Sequence, residues 1–209
     1  MGLFKVALLI DGGHLREVAK GAGHQYTPDY IEAFPKKCID KNEELLRVLY
    51  YDAPLYRGDQ QRPVTGTNVK FKANDEWLND LASRNLFAVR RGHLAFRGWK
   101  LRSVPTSGKP LSDDDFAPNF EQKGVDMRIG LDIATLSQER RIDRIILVSA
   151  DADMIPAMKH ARKVGVQIVA IQLPGPNAQP LNRRFLAHVD IKRTVELPNA
   201  NKPSRKPRR

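Results

Sequence analysis

Four carboxylates in this chain stand where chemistry is done. Asp11 closes an apolar run, Phe4 to Ile10, and Asp151 and Asp153 follow a second one, Ile145 to Val148. Asp126 opens a helix-like segment. If the runs are strands of one parallel sheet, all four acids gather at the same edge of it. Packed carboxylates repel one another, burial raises the cost, and a divalent cation removes it. Oxygen donors without His or Cys nearby suit Mg²⁺ or Mn²⁺ better than zinc. Such an ion activates water and neutralises charge building on a phosphate.

The rest of the composition narrows the partner. The chain has 209 residues and a formal net charge of +11. An acidic cluster inside a basic protein points to a cation site that works on a polyanion, most often nucleic acid. Lys202, Arg205, Lys206, Arg208 and Arg209 supply +5 of the +11, so a positive excess remains on the body. Cys38 is the only cysteine, which excludes an internal disulfide. The five histidines, His14, His24, His93, His160 and His188, show no pair at zinc-ligand spacing. No apolar stretch is as long as a membrane span, and a cytoplasmic protein is the default expectation.

The elements that must position the acids can be read from periodicity. Residues 4–10 read as a buried strand, Asp11-Gly12-Gly13 as a turn, and a short helix as running to about Gly21. Residues 28–45 are mixed and partly helical. Arg47 to Tyr51 reads as a second strand, followed by Asp52. Asn68 to Asn85 has helical spacing at Val69, Trp77, Leu78, Leu81 and Ala82. Leu86 to Val104 reads as a strand and then a hairpin turning at Arg97-Gly98, with 105–122 as a loop. Asp126 to Arg140 and Met154 to Val164 read as helices, Arg144 to Ser149 and Val166 to Leu173 as strands. Leu181 to Ala187 reads as a short helix and Ile191 to Val195 as a last strand. Near-continuously apolar strands alternating with helices give a three-layer α/β sandwich with a mainly parallel central sheet. The expected organisation is one domain over 1–197, with a hairpin and loop insertion at 86–122, and a disordered basic tail at 198–209.

In such a sheet the strands end, and the crossover helices begin, at the carboxyl edge, where open parallel sheets bind ligands. This places Asp11, Asp52, Asp126 and Asp151 together. Asp132 lies about 9 Å further along its helix than Asp126 at 1.5 Å per residue and is turned aside; pairing with a basic side chain suits it better. Each acid also has a plainer role. Asp153 before Met154-Ile155-Pro156 fits an N-cap, Asp126 fits a helix start, and Asp11 before two glycines fits a turn.

Basic residues cluster on the expected hairpin: Arg90, Arg91, Arg97, Lys100 and Arg102, beside Phe96 and Trp99, with Lys123 following. They suit single-stranded nucleic acid through phosphate contacts and stacking. Equally, Phe87, Val89, Phe96 and Trp99 suit a core with a charged outer face. Thr106-Ser107-Gly108-Lys109 lacks the glycine spacing of a phosphate loop, and Asp113-Asp114-Asp115 reads as a solvated loop. Gly175-Pro176-Asn177 reads as a turn at the same sheet edge.

Taken in order, Leu9-Ile10-Asp11-Gly12-Gly13, Tyr50-Tyr51-Asp52-Ala53, Lys123-Gly124-Val125-Asp126 with Asp132, and Leu147 to Asp153 resemble the NYN domain. That family lies within the PIN-like ribonucleases, and the chain looks like its bacterial LabA-type branch. The resemblance runs from about Phe4 to Val195. It implies a Mg²⁺- or Mn²⁺-dependent endoribonuclease with metal ligands at Asp11, Asp126 and Asp151, Asp153 as a further catalytic acid, and RNA as partner. Pairing into a homodimer is common among PIN-like nucleases. The alternative within the family is an RNA-binding or scaffold module without turnover. His14 departs from the Asn or Ser that many PIN-like domains carry three residues after the first aspartate. A haloacid-dehalogenase-type phosphohydrolase would need Asp-x-Asp after the first strand, and here Gly13 stands at the second position.

Overall fold

The computed structural model describes residues 2–104, 108–139 and 141–199. Thr106, Ser107 and the basic tail from residue 200 onward lie outside the described residues. In chain order the elements are β1 (Phe4–Asp11), α1 (Gly12–Gly21), α2 (Pro28–Ala33), α3 (Pro35–Cys38), β2 (Glu43–Asp52), β3 (Gly58–Gln61), β4 (Asn68–Phe71) and α4 (Glu76–Ala82). There follow β5 (Phe87–Arg91), β6 (His93–Leu101), β7 (Phe116–Lys123), α5 (Val125–Gln138), β8 (Arg144–Val148), α6 (Ile155–Lys163), β9 (Gln167–Gln172), α7 (Arg183–Leu186) and β10 (Ile191–Thr194).

Six strands form a wholly parallel sheet in the order β10-β9-β8-β1-β2-β5. Alternate residues of each strand face opposite sides. Val6, Leu8, Ile10, Val48 and Tyr50 pack under α1, α2 and α4 through Leu15, Val18, Ile31, Phe34, Leu78 and Leu81. Ala7, Leu9, Leu49, Tyr51, Ile145 and Leu147 pack under α5, α6 and α7 through Val125, Ile129, Ile133, Met158, Ala161 and Phe185. The result is the three-layer sandwich that the alternation of elements implies. Helices change face where the chain returns to pair β8 beside β1, because right-handed crossovers running in opposite directions lie on opposite faces.

Several local readings are corrected by tertiary contacts. Gly12-Gly13 is the first turn of α1, not a separate turn. Helix α4 spans only Glu76–Ala82; residues 68–71, read as its start, are β4, an edge strand paired antiparallel with β3. The chain does not turn at Arg97-Gly98. There β6 has an irregularity and continues, and its partner is β7, in the stretch read as a loop. The two small sheets are held by an aromatic cluster of Tyr56, Phe71, Phe96, Trp99 and Phe120, with ring centroids 5.4–6.2 Å apart. That packing overrides the helical spacing of residues 68–71. On α5 the face toward the sheet is Val125, Ile129 and Ile133, while Met127 and Leu131 remain 72% and 60% exposed.

At the opposite, amino edge of the sheet, buried Glu43 accepts from Arg144 at 3.0 Å and from Arg193 at 2.6 Å. Among the described residues no helix is long and apolar enough to cross a membrane.

Gly12 marks where β1, α1 and β2 meet most closely. A Cβ there would overlap the Tyr50 hydroxyl and stand 2.8 Å from the Tyr51 carbonyl oxygen. In an isolated helix Gly→Ala gains about 1 kcal/mol. Here overpacking outweighs that gain, and Gly12→Ala is expected to lower the unfolding free energy by about 1–3 kcal/mol in urea denaturation.

Candidate active site

The acids sit at the carboxyl edge, around the crevice between β1 and β8 where strand order reverses. Asp11 ends β1, and its Oδ1 caps α1 by accepting the His14 N–H at 3.1 Å. Asp126 lies in the first turn of α5. Gly124, at φ +75°, supplies the left-handed step into that helix, and Arg128 donates to the Gly124 carbonyl at 2.7 Å. Beyond β8, Asp151 Oδ1 accepts the Asp153 N–H at 2.8 Å, while the Asp151 N–H donates to Ser149 Oγ at 3.2 Å. The capping residue is therefore Asp151. Asp153, whose place in the sequence fits an N-cap as well as a site acid, makes no cap bond and is exposed.

Electrostatics ties the four together. Burial, reinforced by repulsion from Asp126 and Asp52, pushes the Asp11 carboxyl from an ordinary 3.8 up to about 6, against the opposing pull of the His14 and Gly13 N–H groups. Asp126 is likewise raised, by burial first and then by Asp151 and Asp153. Asp126 is thus the common neighbour of the other three. Among the described residues none of the four forms an ion pair. All-oxygen donors with uncompensated mutual repulsion fit a hard divalent cation in their chemistry. As the side chains are arranged, however, no three His, Cys, Asp or Glu among the described residues form a ready ion cage. His14 is held below its usual imidazole range by burial.

A second group stands at this edge around Asp52, which its strand end already placed here, while Arg16 and Tyr26, which join it, carried no signal in the sequence. Asp52 is fully buried and takes a bidentate pair from Arg16, at 2.5 and 3.2 Å. It also accepts from the Tyr50 hydroxyl at 3.0 Å and the Ala53 N–H at 2.8 Å. Tyr50 in turn meets the Tyr26 hydroxyl at 2.9 Å. A Cβ on Gly13 would lie 3.3 Å from Asp11 Oδ1 and 3.9 Å from both Arg16 Nη2 and Gln122 Oε1. Arg16 and Gln122 therefore border Asp11. Neither shows in the sequence, because Arg16 is one of many exposed-looking helix residues and Gln122 falls in the apparent loop.

The basic residues named from sequence are placed differently from the acids. Arg90 bonds Asp132 at 3.0 Å, and Tyr51 donates to the same carboxylate at 2.8 Å. Asp132 is thus held structurally, away from the crevice. Arg91 bonds Asn79, Arg97 bonds Glu121 at 2.6 Å, and Lys123 also pairs with Glu121. Arg102 donates to the carbonyls of Asp114 and Phe116, both at 3.1 Å. Trp99 gives its ring to the aromatic cluster and its N–H to the Gln61 carbonyl at 2.8 Å. Lys100 alone of the seven makes no side-chain bond among the described residues. Asp113 accepts the Val64 N–H at 2.9 Å and ties the loop to the β3–β4 hairpin. Asn177 donates to the Glu17 carbonyl at 3.3 Å and rests on α1.

The sequence model of one family, described as the NYN domain, matches residues 5–188. No curated protein matches the chain. Among solved structures, the crystal structure of a protein of unknown function, VPA0982, from Vibrio parahaemolyticus RIMD 2210633 is similar with a TM-score of 0.51. It shares 14% sequence identity over 95% of each chain, which is a likeness of fold.

Two outcomes test the site's electrostatics. Below pH 3.8 Asp11 is protonated in both the folded and unfolded states. As pH rises, the unfolded chain releases this proton first and stability falls, levelling off above about 6 at a loss of about 3 kcal/mol, from about 1.4 kcal/mol per pKa unit. Urea melts in EDTA at pH 4 and pH 7.5 are expected to show Asp11→Asn removing this decline, with the variant more stable than wild type at the higher pH. Asp52→Ala acts in the opposite sense. It strands Arg16, the Tyr50 hydroxyl and the Ala53 N–H and is expected to lower the unfolding free energy by about 3 kcal/mol, the low end for a broken buried pair because Arg16 is partly exposed.

Proposed function

The chain belongs to the NYN domain family, and on that premise we propose that it is a PIN-like endoribonuclease of the LabA-type branch that hydrolyses RNA phosphodiester bonds at its acidic crevice. The observation that carries this reading is the gathering of Asp11, Asp126, Asp151 and Asp153 around the switch point between β1 and β8, with no cation paired to any of them among the described residues.

Asp11, Asp126 and Asp151 would hold a Mg²⁺ or Mn²⁺ ion. When bound, the ion supplies Lewis-acid chemistry, making a water more acidic and offsetting charge that builds on the phosphate. The chain's own groups do the rest. The cap on α1 fixes the Asp11 carboxyl through its Oδ1. Asp151 is fixed in the same way by the Asp153 N–H. Asp153, exposed at the rim, accepts a hydrogen bond from the attacking water and orients it. Arg16, held on one side by Asp52, places positive charge beside Asp11 where a phosphate enters. The same proposal includes a cytoplasmic location and a homodimer, checked by cell fractionation and by light scattering.

One observation favours the second reading, an RNA-binding module without turnover: the absence of a ready three-acid cage among the described residues. The two readings separate in one experiment. With a labelled RNA in Mn²⁺, wild type is expected to cleave, EDTA to abolish cleavage, and Asp151→Asn to reduce it at least about a hundredfold, on the scale of losing a group that stabilises the transition state. Tight, salt-sensitive binding without any cleavage in Mn²⁺ would select the module instead.

A further inference from the structure

We infer that the RNA strand reaches the acidic crevice across the cleft between α6 and α7, with its phosphates on Lys159 and Arg184, and not along the β6–β7 ribbon. This rests on RNA being the substrate.

A cavity of about 320 Å³ opens directly beside the site. It is lined by Asp153, Lys159 and Arg184 together with Ala152, Ile155 and Pro156. It therefore joins the acid at the rim of the crevice to two cations. Both cations are exposed, and neither has a carboxylate partner among the described residues. Arg162 lies near them but is already held by Asp190 at 2.9 Å. His188 reports the crowding: desolvation and the charges of Lys159, Arg162 and Arg184 all hold it below the usual imidazole range. Two exposed cations that no carboxylate among the described residues holds in an ion pair have a favourable use, namely a phosphate backbone whose counterions they displace.

The ribbon offers the contrary case. Arg97 and Lys123 share Glu121, Arg90 is bound to Asp132, and Arg102 is spent on two carbonyls. Trp99 is half-buried, with its ring packed against Phe71 and Phe96 and its N–H given to the Gln61 carbonyl. Lys100 on β6 has no side-chain bond among the described residues, but to bind RNA through the other cations the protein would first have to break contacts that it already makes. At the α6–α7 cleft nothing has to be broken.

Binding of a fluorescein-labelled single-stranded RNA, followed by anisotropy in EDTA so that no strand is cut, tests this. Lys159→Ala/Arg184→Ala is expected to weaken binding about tenfold or more. It is also expected to reduce the slope of log K against log salt by about 1.4, at about 0.7 per phosphate contact in single strands. Lys36→Ala/Lys41→Ala, which removes the same charge at the amino edge of the sheet, is expected to stay within about twofold of wild type. A Lys159/Arg184 variant that binds as wild type, while Arg97→Ala/Lys100→Ala loses affinity, overturns the inference. The measurement is independent of turnover. A protein that binds through Lys159 and Arg184 but never cleaves keeps the surface and loses the ribonuclease reading. One that cleaves, and binds equally well without the two cations, does the reverse.

Discussion

The parallel pairing of β8 beside β1 is the constraint on which the rest of this structure depends. The chain builds β1, β2 and β5 outward in one direction, then returns through α5 and builds β8, β9 and β10 in the other. The return leaves a crevice at the carboxyl edge because no crossover covers the junction of the two halves. The same step brings the end of β1, the start of α5 and the end of β8 together. Asp11, Asp126 and Asp151 occupy those three positions, Asp11 lying more than a hundred residues before the other two in the chain. Glycines make the junction tight: Gly12 lets α1 close onto Tyr50, and Gly124 turns the chain into α5.

Charge is treated differently at the two edges of the sheet. At the amino edge, buried Glu43 is matched by two arginines, and Arg144 also lies over the Phe4 ring. Beside the crevice, Asp52 is fully matched by Arg16, two backbone and hydroxyl donors completing its shell. These carboxylates are buried at little net cost because each lone pair has a donor. The crevice acids have only backbone N–H donors and one another. An arrangement that raises the energy of the folded chain persists where function requires it. Asp52 and Asp11, two acids at neighbouring strand ends, thus differ in that every lone pair of the first has a donor and those of the second do not.

The small lobe built from β3, β4, β6 and β7 has its own physical logic. A two-stranded sheet is marginal by itself, and five aromatic rings in edge-to-face and tilted contact supply the burial that each of the two ribbons lacks. On its surface Arg97 and Lys123 are both paired with Glu121. The lobe adds Gln122 to the border of Asp11, while the uncompensated positive charge lies across the crevice on α6 and α7.

The sequence by itself determined the layered sheet and the place of its acids. Apolar runs, helix signals and strand ends are local, and in a strand–helix–strand chain the carboxyl ends share an edge whatever the side chains do. Asp132 could be set apart from Asp126 by helical geometry alone. The sequence could not say that residues 116–123 pair with 93–101, that residues 68–71 leave a helical pattern for a strand, or that Arg16 is clamped by Asp52. Nor could it separate Arg97 from Arg184, two surface cations of the same type. Those distinctions were decided by tertiary structure, because whether a strand finds an edge, or a cation finds a carboxylate, depends on groups that only folding brings within reach.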